Sequence, residues 1–280
     1  HLDRHGSLEA YREVKRRQAE LLPEGGCLVR NDDDPVVAGY RAPAGARTVA
    51  YARRQPDPAG VGVVDGWVTA GPELRPAGHD GRILPLADIP LPGEHNVSNV
   101  LAAVAVGLLH EVDPVAITDA VRDFGGVEHR LERVAEVAGV TYINDSQGTQ
   151  PDAVIAAVRS FAKPLVLIAG GRSKGGPVGP LANAVAERVT AAVLIGETAE
   201  QLASAFAGAG LGRIERAASM SAAVATATDI ARERTPATVL LSPAAASFDM
   251  FDDYEARGRA FKTSVAELAE LAERSGEGAA

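Results

Sequence analysis

One cysteine, Cys27, stands among 280 residues. That scarcity excludes an internal disulfide framework and any zinc site built on cysteine. No apolar run approaches the ~20 residues that cross a bilayer, and no charged-then-apolar leader opens the chain. Basic residues are in deficit: 28 Lys+Arg stand against 37 Asp+Glu, a net charge of −9. Without a basic block, such a chain is a poor partner for nucleic acid or an anionic membrane, although a local basic pocket is still allowed. There is no Gly-x-Ser-x-Gly elbow and no cysteine nucleophile placed near a histidine, so hydrolase chemistry has little support. Hydrophobic residues, by contrast, make up 46%. That is enough for a sizeable core, and the length allows one large domain or two ordinary ones. The expectation is a soluble, cytoplasmic protein. The chain starts at His1 rather than Met, and HLDRHGSLEAY reads like the inside of a domain, so a fragment of something longer is expected.

The rhythm of the chain changes near residue 128. Before it, helical spacing covers 8–21, and short strand-like runs lie at 27–30 and 48–52. Two strands meet about Asp65-Gly66, a hairpin signal. Residues 98–110 form a helix apolar nearly all round, and 117–124 a shorter amphipathic one. After residue 128, strands at 140–145, 165–171, 191–196, 213–217 and 238–243 alternate with helices at 152–162, 179–189, 197–209, 221–234 and 248–271. Five such units predict a mostly parallel sheet with helices on both faces. Ligands bind such sheets at the carboxyl ends of the strands. The segments following those strands, NDSQGTQ, GGRSKGG, GE and SPAAAS, are polar, small and glycine-rich. The tail 275–280 is expected to fray.

Several segments carry chemistry, each beside a plain structural role. Gly170-Gly171-Arg172-Ser173-Lys174-Gly175 can cradle an anion with backbone N–H groups and a lysine, or be a strand-exit turn. Asp145 can accept from a ribose hydroxyl and Thr149 can donate to a carboxylate, or the segment is an Asx turn capping the next helix. Ser247 reads as the N-cap of the last helix, whose amides favour an anion. Asn96 and Asn99 can read a purine edge, or Asn96 and Ser98 cap the apolar helix. Arg130 can hold a phosphate, or pair with Glu128 or Glu132. Lys15 reads as a solvated helical lysine, and His1, Asp3 and His5 do not have the spacing of a zinc signature.

Taken together, HLDRHGSLEAYREVK, NDDDPVV, LPGEHNVSNVLAA, FGGVEHRLERV, GVTYINDS, LIAGGRSKG and LLSPAAASFDMFDDYEARGRAFK resemble the blocks of the Mur ligase family, in its order and over nearly the whole chain. The resemblance implies an α/β protein: a truncated central ATP-binding domain at 1–127, then a Rossmann-like C-terminal domain with a mostly parallel sheet at 128–280. The uridine domain and the P-loop would lie upstream of His1, so the chain alone is expected to be inactive. The activity implied is an ATP-dependent amide ligase of peptidoglycan synthesis, adding glutamate (D-glutamate expected) to UDP-N-acetylmuramoyl-L-alanine through an acyl phosphate. The implied cofactors are ATP and Mg²⁺, the partners are small-molecule substrates, and the protein is expected to be a monomer. By resemblance His1 ligates magnesium, and Lys15 is carbamylated so that its new carboxylate supports the metal. Asn96, Asn99, Arg130 and Asp145 would contact the nucleotide. Thr149, Lys174, Ser247 and Tyr254 would bind the amino acid.

One block departs from the pattern. The family usually reads NDSKATN where this chain reads NDSQGTQ. Gln147 removes a positive charge and Gly148 loosens the turn, which leaves the glutamate epimer open. Two other readings are a non-catalytic nucleotide- or glutamate-binding module derived from such a C-terminal domain, and a ligase of folate polyglutamylation. The SPAAASFDMFDDYEARG block argues against the last.

Overall fold

The computed structural model describes residues 5–175 and 177–274. His1 and the tail 275–280 lie outside the described residues. The chain divides into two compact units, His1–Gly125 and Gly126–Ala280.

In the first unit, helix α1 (Leu8–Glu20) starts at Ser7, whose side chain accepts from the Ala10 N–H. A five-stranded sheet follows in the order β1 (Cys27–Asn31), β2 (Arg47–Tyr51), β3 (Val61–Val64), β4 (Trp67–Ala70), β5 (Arg82–Pro85). The first three strands are parallel and the rest antiparallel. The β3–β4 hairpin turns at Asp65 (φ 48) and Gly66 (φ 77). Two consecutive left-handed residues suit the twist of a two-residue hairpin, and Asp-Gly tolerates them.

Helix α2 (Glu94–Leu109) lies on β1, β2 and β3 and buries Val100, Leu101, Val104, Ala105 and Leu108. It begins four residues before the expected 98, because Gly93 (φ 95) takes the capping position. Neither Asn96 nor Ser98 is the cap. The helix is apolar nearly all round, as its sequence reads. Its apolar side is covered by the unit's own sheet, and among the described residues of α2 the large exposed hydrophobic is Val106, at 44%. Helix α3 (Pro114–Asp123) is capped by Asp113, which accepts from the Val115 N–H at 2.7 Å.

The second unit is a six-stranded sheet in the order β10 (Ile214–Arg216), β9 (Ala191–Ile195), β8 (Leu165–Gly170), β11 (Ala237–Leu241), β7 (Val140–Asn144), β6 (Glu132–Val137). All pairs are parallel except β6–β7. Side chains of a strand alternate between faces, so β8 sends Leu165, Leu167 and Ala169 to one core and Val166 and Ile168 to the other. The first core takes helices α4 (Pro151–Arg159), α5 (Gly179–Arg188) and α6 (Ala199–Gly208). The second takes α7 (Met220–Arg232) and α8 (Tyr254–Arg274). Burial on both faces explains why β8, β9 and β11 read as nearly continuous apolar runs.

Two expectations are corrected here. The sequence pattern marks no strand where β6 lies. Strand β6 is the antiparallel edge strand, irregular between Arg133 and Ala135, and its sequence ERVAEV mixes charge with apolar positions. The last helix starts at Tyr254, not 248. Residues 248–253 are turn, and the Asp253 carboxylate accepts from the Ala256 N–H at 2.6 Å. Ser247 therefore caps no helix, and the reading of an anion held by helix amides at Ser247 falls with it.

Candidate functional site

Five parallel strands bring their carboxyl ends to one edge of the second unit, and the loops leaving β7, β8, β9 and β11 are stitched together there. The Ala244 N–H donates to Gly148 O at 2.9 Å, and the Gly170 N–H to Pro243 O at 2.9 Å. Arg172 and Ala246 exchange two backbone bonds, at 2.9 and 3.0 Å. Gly170 (φ 115) and Gly171 (φ 140) permit this close fit. A Cβ at Gly170 would lie 2.0 Å from Ile195 O, and one at Gly171 2.2 Å from Ala246 O.

Asp145 is 5% exposed and sits just past β7. Its Oδ2 accepts from Ser242 Oγ at 2.6 Å and its Oδ1 from the Leu131 N–H at 3.2 Å. Burial pushes its carboxyl up to about 6, opposed by those two donors and by the charge of Arg130. Arg130 itself is exposed, on a turn between two left-handed residues, His129 (φ 65) and Leu131 (φ 47). The alternative that Arg130 pairs with Glu128 or Glu132 is corrected: Lys262 takes both, at 3.0 and 2.6 Å. Burial raises the Glu132 carboxyl, but Lys262, the His129 N–H and the Asn144 amide outweigh it and hold it below the usual range. Glu128, His129 and Glu132 bring ligand atoms within 4.8 Å of one another, as a metal site would. The Lys262 ammonium already supplies the positive charge there.

Lys174 and Thr149 meet: the ammonium donates to Thr149 Oγ1 at 2.8 Å. The Asx turn exists, since the Ser146 N–H donates to Asn144 Oδ1 at 3.2 Å, but the residue capping α4 is Gln150, with no side-chain bond. Ser247 is buried on the β11 loop, its carbonyl accepting from Met250 and Phe251. The Tyr254 ring meets His129 edge-on at 6.2 Å, and its carbonyl accepts from Ser146 Oγ at 2.7 Å. Thus Asp145, Thr149, Lys174, Ser247 and Tyr254 all lie on this edge or on the loops that form it. The edge offers hydroxyls, an ammonium and an exposed guanidinium, a set suited to an anionic ligand.

In the first unit Asn96 is buried. Its Nδ2 donates to Pro92 O at 2.7 Å and its Oδ1 accepts from Asn99 Nδ2 at 3.2 Å. Asn99 is exposed at the start of α2. Lys15 is exposed on α1, with its ammonium 5.6 Å from the centre of the Tyr11 ring. His1 lies outside the described residues.

Sequence reasoning missed Arg257 and Ser242. The Arg257 side chain is 1% exposed. It donates from Nε to Ser146 Oγ (3.0 Å), from Nη2 to Ser146 O (2.9 Å) and from Nη1 to Ala245 O (3.1 Å). It thereby fastens the β7 loop to the β11 loop. Its place in the sequence, three residues after Tyr254, carries no mark that the side chain points inward.

Two family descriptions match this chain: the Mur ligase middle domain over residues 1–107, and the Mur ligase glutamate ligase domain over residues 129–245. The chain belongs to the Mur ligase family. The UDP-N-acetylmuramoylalanine–D-glutamate ligase of Pelotomaculum thermopropionicum is 40% identical over 268 residues, 96% of this chain and 58% of that protein. Its namesake from Symbiobacterium thermophilum is 43% identical over 270 residues, with the same shares. The chain thus spans less than two thirds of these Mur ligases. In fold it is similar to the crystal structure of MurF from Acinetobacter baumannii, with a TM-score of 0.67, 19% identity and 96% of this chain against 57% of that one. Among the described residues no helix is long and apolar enough to cross a membrane.

Proposed function

We propose that this chain is the later part of a cytoplasmic, monomeric ligase that joins D-glutamate to UDP-N-acetylmuramoyl-L-alanine at the expense of ATP. Residues 1–127 belong to its central domain and 128–280 to its C-terminal domain. The observation that carries the reading is the Thr149–Lys174 pair beside Asp145 on one sheet edge, in a chain about 40% identical to ligases of that name.

The chemistry needs little covalent help from the protein. ATP transfers its terminal phosphoryl group to the substrate carboxylate, giving an acyl phosphate. The glutamate amine attacks the acyl carbon, loses a proton, and phosphate leaves as the amide forms. Catalysis is then positioning and charge neutralisation. Lys174 and Thr149 hold a carboxylate of the incoming glutamate, with Ser247 and Tyr254 bordering it. In the C-terminal domain Arg130 and Asp145 are the proposed nucleotide contacts; Asn96 and Asn99 are carried over from the family resemblance as nucleotide contacts of the central domain. Magnesium, when bound, neutralises phosphate charge. A carbamate oxygen suits that hard ion, whereas the bare Lys15 ammonium would repel it, so a carbamylated Lys15 is its proposed holder, with His1 added from the family resemblance.

The test is phosphate release by the polypeptide carrying the whole reading frame, requiring UDP-N-acetylmuramoyl-L-alanine, ATP and D-glutamate together. Lys174→Ala is expected to raise the KM for glutamate by ten-fold or more, on the order of one lost charge-assisted bond, with less effect on the KM for ATP. No dependence on glutamate, or preference for another amino acid, refutes the reading. The 280-residue chain, which contains no G-x-x-x-x-G-K-[ST] loop, is expected to release no phosphate.

A further inference from the structure

Gly148 lies in the turn after β7 and is buried. Its φ is not in the left-handed region, so its backbone does not require glycine. What requires glycine is the space beside it. A Cβ built there would stand 2.4 Å from Asp145 Oδ2 and 2.7 Å from Ser242 Oγ. Those are the two atoms of the 2.6 Å hydrogen bond between Ser242 and Asp145. A methyl group and that bond cannot share the same place. The other close atom is the Asp145 carbonyl, at 3.0 Å.

We infer that Gly148 is a positioning residue for Asp145: the missing side chain leaves room for the carboxylate to turn inward onto Ser242. Where the family pattern carries alanine, this chain has the methyl-sized space filled by a carboxylate oxygen. The groups around that carboxylate agree with an inward setting. Ser242 is fully buried and donates to Oδ2, and the Leu131 N–H donates to Oδ1. The Arg130 guanidinium acts on the carboxylate through its charge. The other charged or ionisable neighbours are engaged one residue away, Arg257 on Ser146 and His129 on Asn144. The role of Asp145 toward a nucleotide rests on the proposed function, but its placement by Gly148 does not.

The test needs no substrate, so it can fail independently of the ligase reading. The side-chain carboxyl of Asp145 is followed by carbon NMR across pH in the 280-residue chain and in two variants. In the parent chain the midpoint is expected at about 6. Gly148→Ala drives the carboxylate off Ser242 toward water, and its midpoint falls toward the ordinary value near 4. Ser242→Ala adds no bulk and removes a donor to the charged form, so its midpoint rises. A general loosening of the turn moves both variants the same way. Opposite shifts support the inference. A midpoint unchanged in Gly148→Ala, or equal shifts in both variants, overturns it. Should Gly148→Ala fail to fold, an unchanged midpoint in Ser242→Ala is enough to overturn it, and a raised one supports it.

Discussion

Replacing Arg257 with methionine tests how the site edge is held together. The guanidinium is enclosed and makes three hydrogen bonds, two to Ser146 and one to Ala245. Bonds from a charged donor contribute about 2 kcal/mol each, so about 6 kcal/mol together. Against this stands the cost of burying the charge. Burial pushes the pKa down to about 10, with Asp249 opposing it. At about 1.4 kcal/mol per tenfold change in proton affinity, that depression costs about 3 kcal/mol. The expected net loss in Arg257→Met is therefore about 3 kcal/mol. The assay is urea unfolding followed by far-UV circular dichroism, with native-state amide exchange at β7 and β11. Trp67 lies in the first unit, so its fluorescence does not report this transition. With a slope near 2 kcal/mol per molar urea, the midpoint drops by about 1.5 M. Arg257→Lys keeps the charge but loses the planar fork, and most of the loss should persist. A loss below about 1 kcal/mol in the methionine variant, or a lysine variant as stable as the parent, refutes the argument that these bonds hold the edge.

Asp145 makes stability depend on pH. Its folded-state value of about 6 lies above the unfolded one near 4, so the folded chain binds more protons between these values. Its contribution is full below pH about 4 and is lost by about 6, a fall of up to about 3 kcal/mol, and Asp145→Asn should flatten that slope in urea midpoints taken from pH 4 to 7. Tyr142→Phe removes the buried 2.9 Å bond to Thr228, whose hydroxyl still donates to Val224 O. The expected loss is about 1 kcal/mol, and one above about 3 kcal/mol in denaturant melts would mean that the hydroxyl supports more than this pair. Gly66→Ala places a Cβ in open space at φ 77, so its cost is backbone strain alone, about 1 kcal/mol. Urea unfolding followed by Trp67 fluorescence reads it, and no loss would show that the hairpin turn relaxes.

Legibility in the sequence followed burial and periodicity. LVLIAGG could be read as a central strand because burial on both faces leaves no polar position until the glycines, and the structure places β8 there. ERVAEV could not, because an edge strand is buried on one side only and β6 pairs irregularly with β7. The start of α8 departs from its sequence pattern for another reason. FDMFDDY has helical spacing, yet the Asp249 carboxylate accepts from the Glu197 N–H at 2.9 Å and anchors that stretch as a turn. Tertiary anchoring overrode local pattern. Polar side chains that follow parallel strands are legible as a site edge, so Asp145, Thr149 and Lys174 could be singled out. Arg257 could not, since nothing in helical spacing tells an inward arginine from a solvated one.

The bonds between loops bear on what the departures from the family pattern can change. Gln147 donates its backbone N–H to His129 O at 3.0 Å, and Gly148 O accepts from the Ala244 N–H at 2.9 Å. Both bonds are made by main-chain atoms and are available to any non-proline residue. The path of the turn is therefore set without the side chains at 147 and 148. Exchanging Lys for Gln at 147 alters charge at an exposed position, and exchanging Ala for Gly at 148 alters where the Asp145 carboxylate rests. Neither needs to move Thr149 or Lys174, whose own 2.8 Å bond spans two loops already fixed by Arg172–Ala246 and Ala244–Gly148 pairing. A change of ligand preference in this chain would then come from local charge and from the Asp145 rotamer, on an edge held rigid by its neighbours.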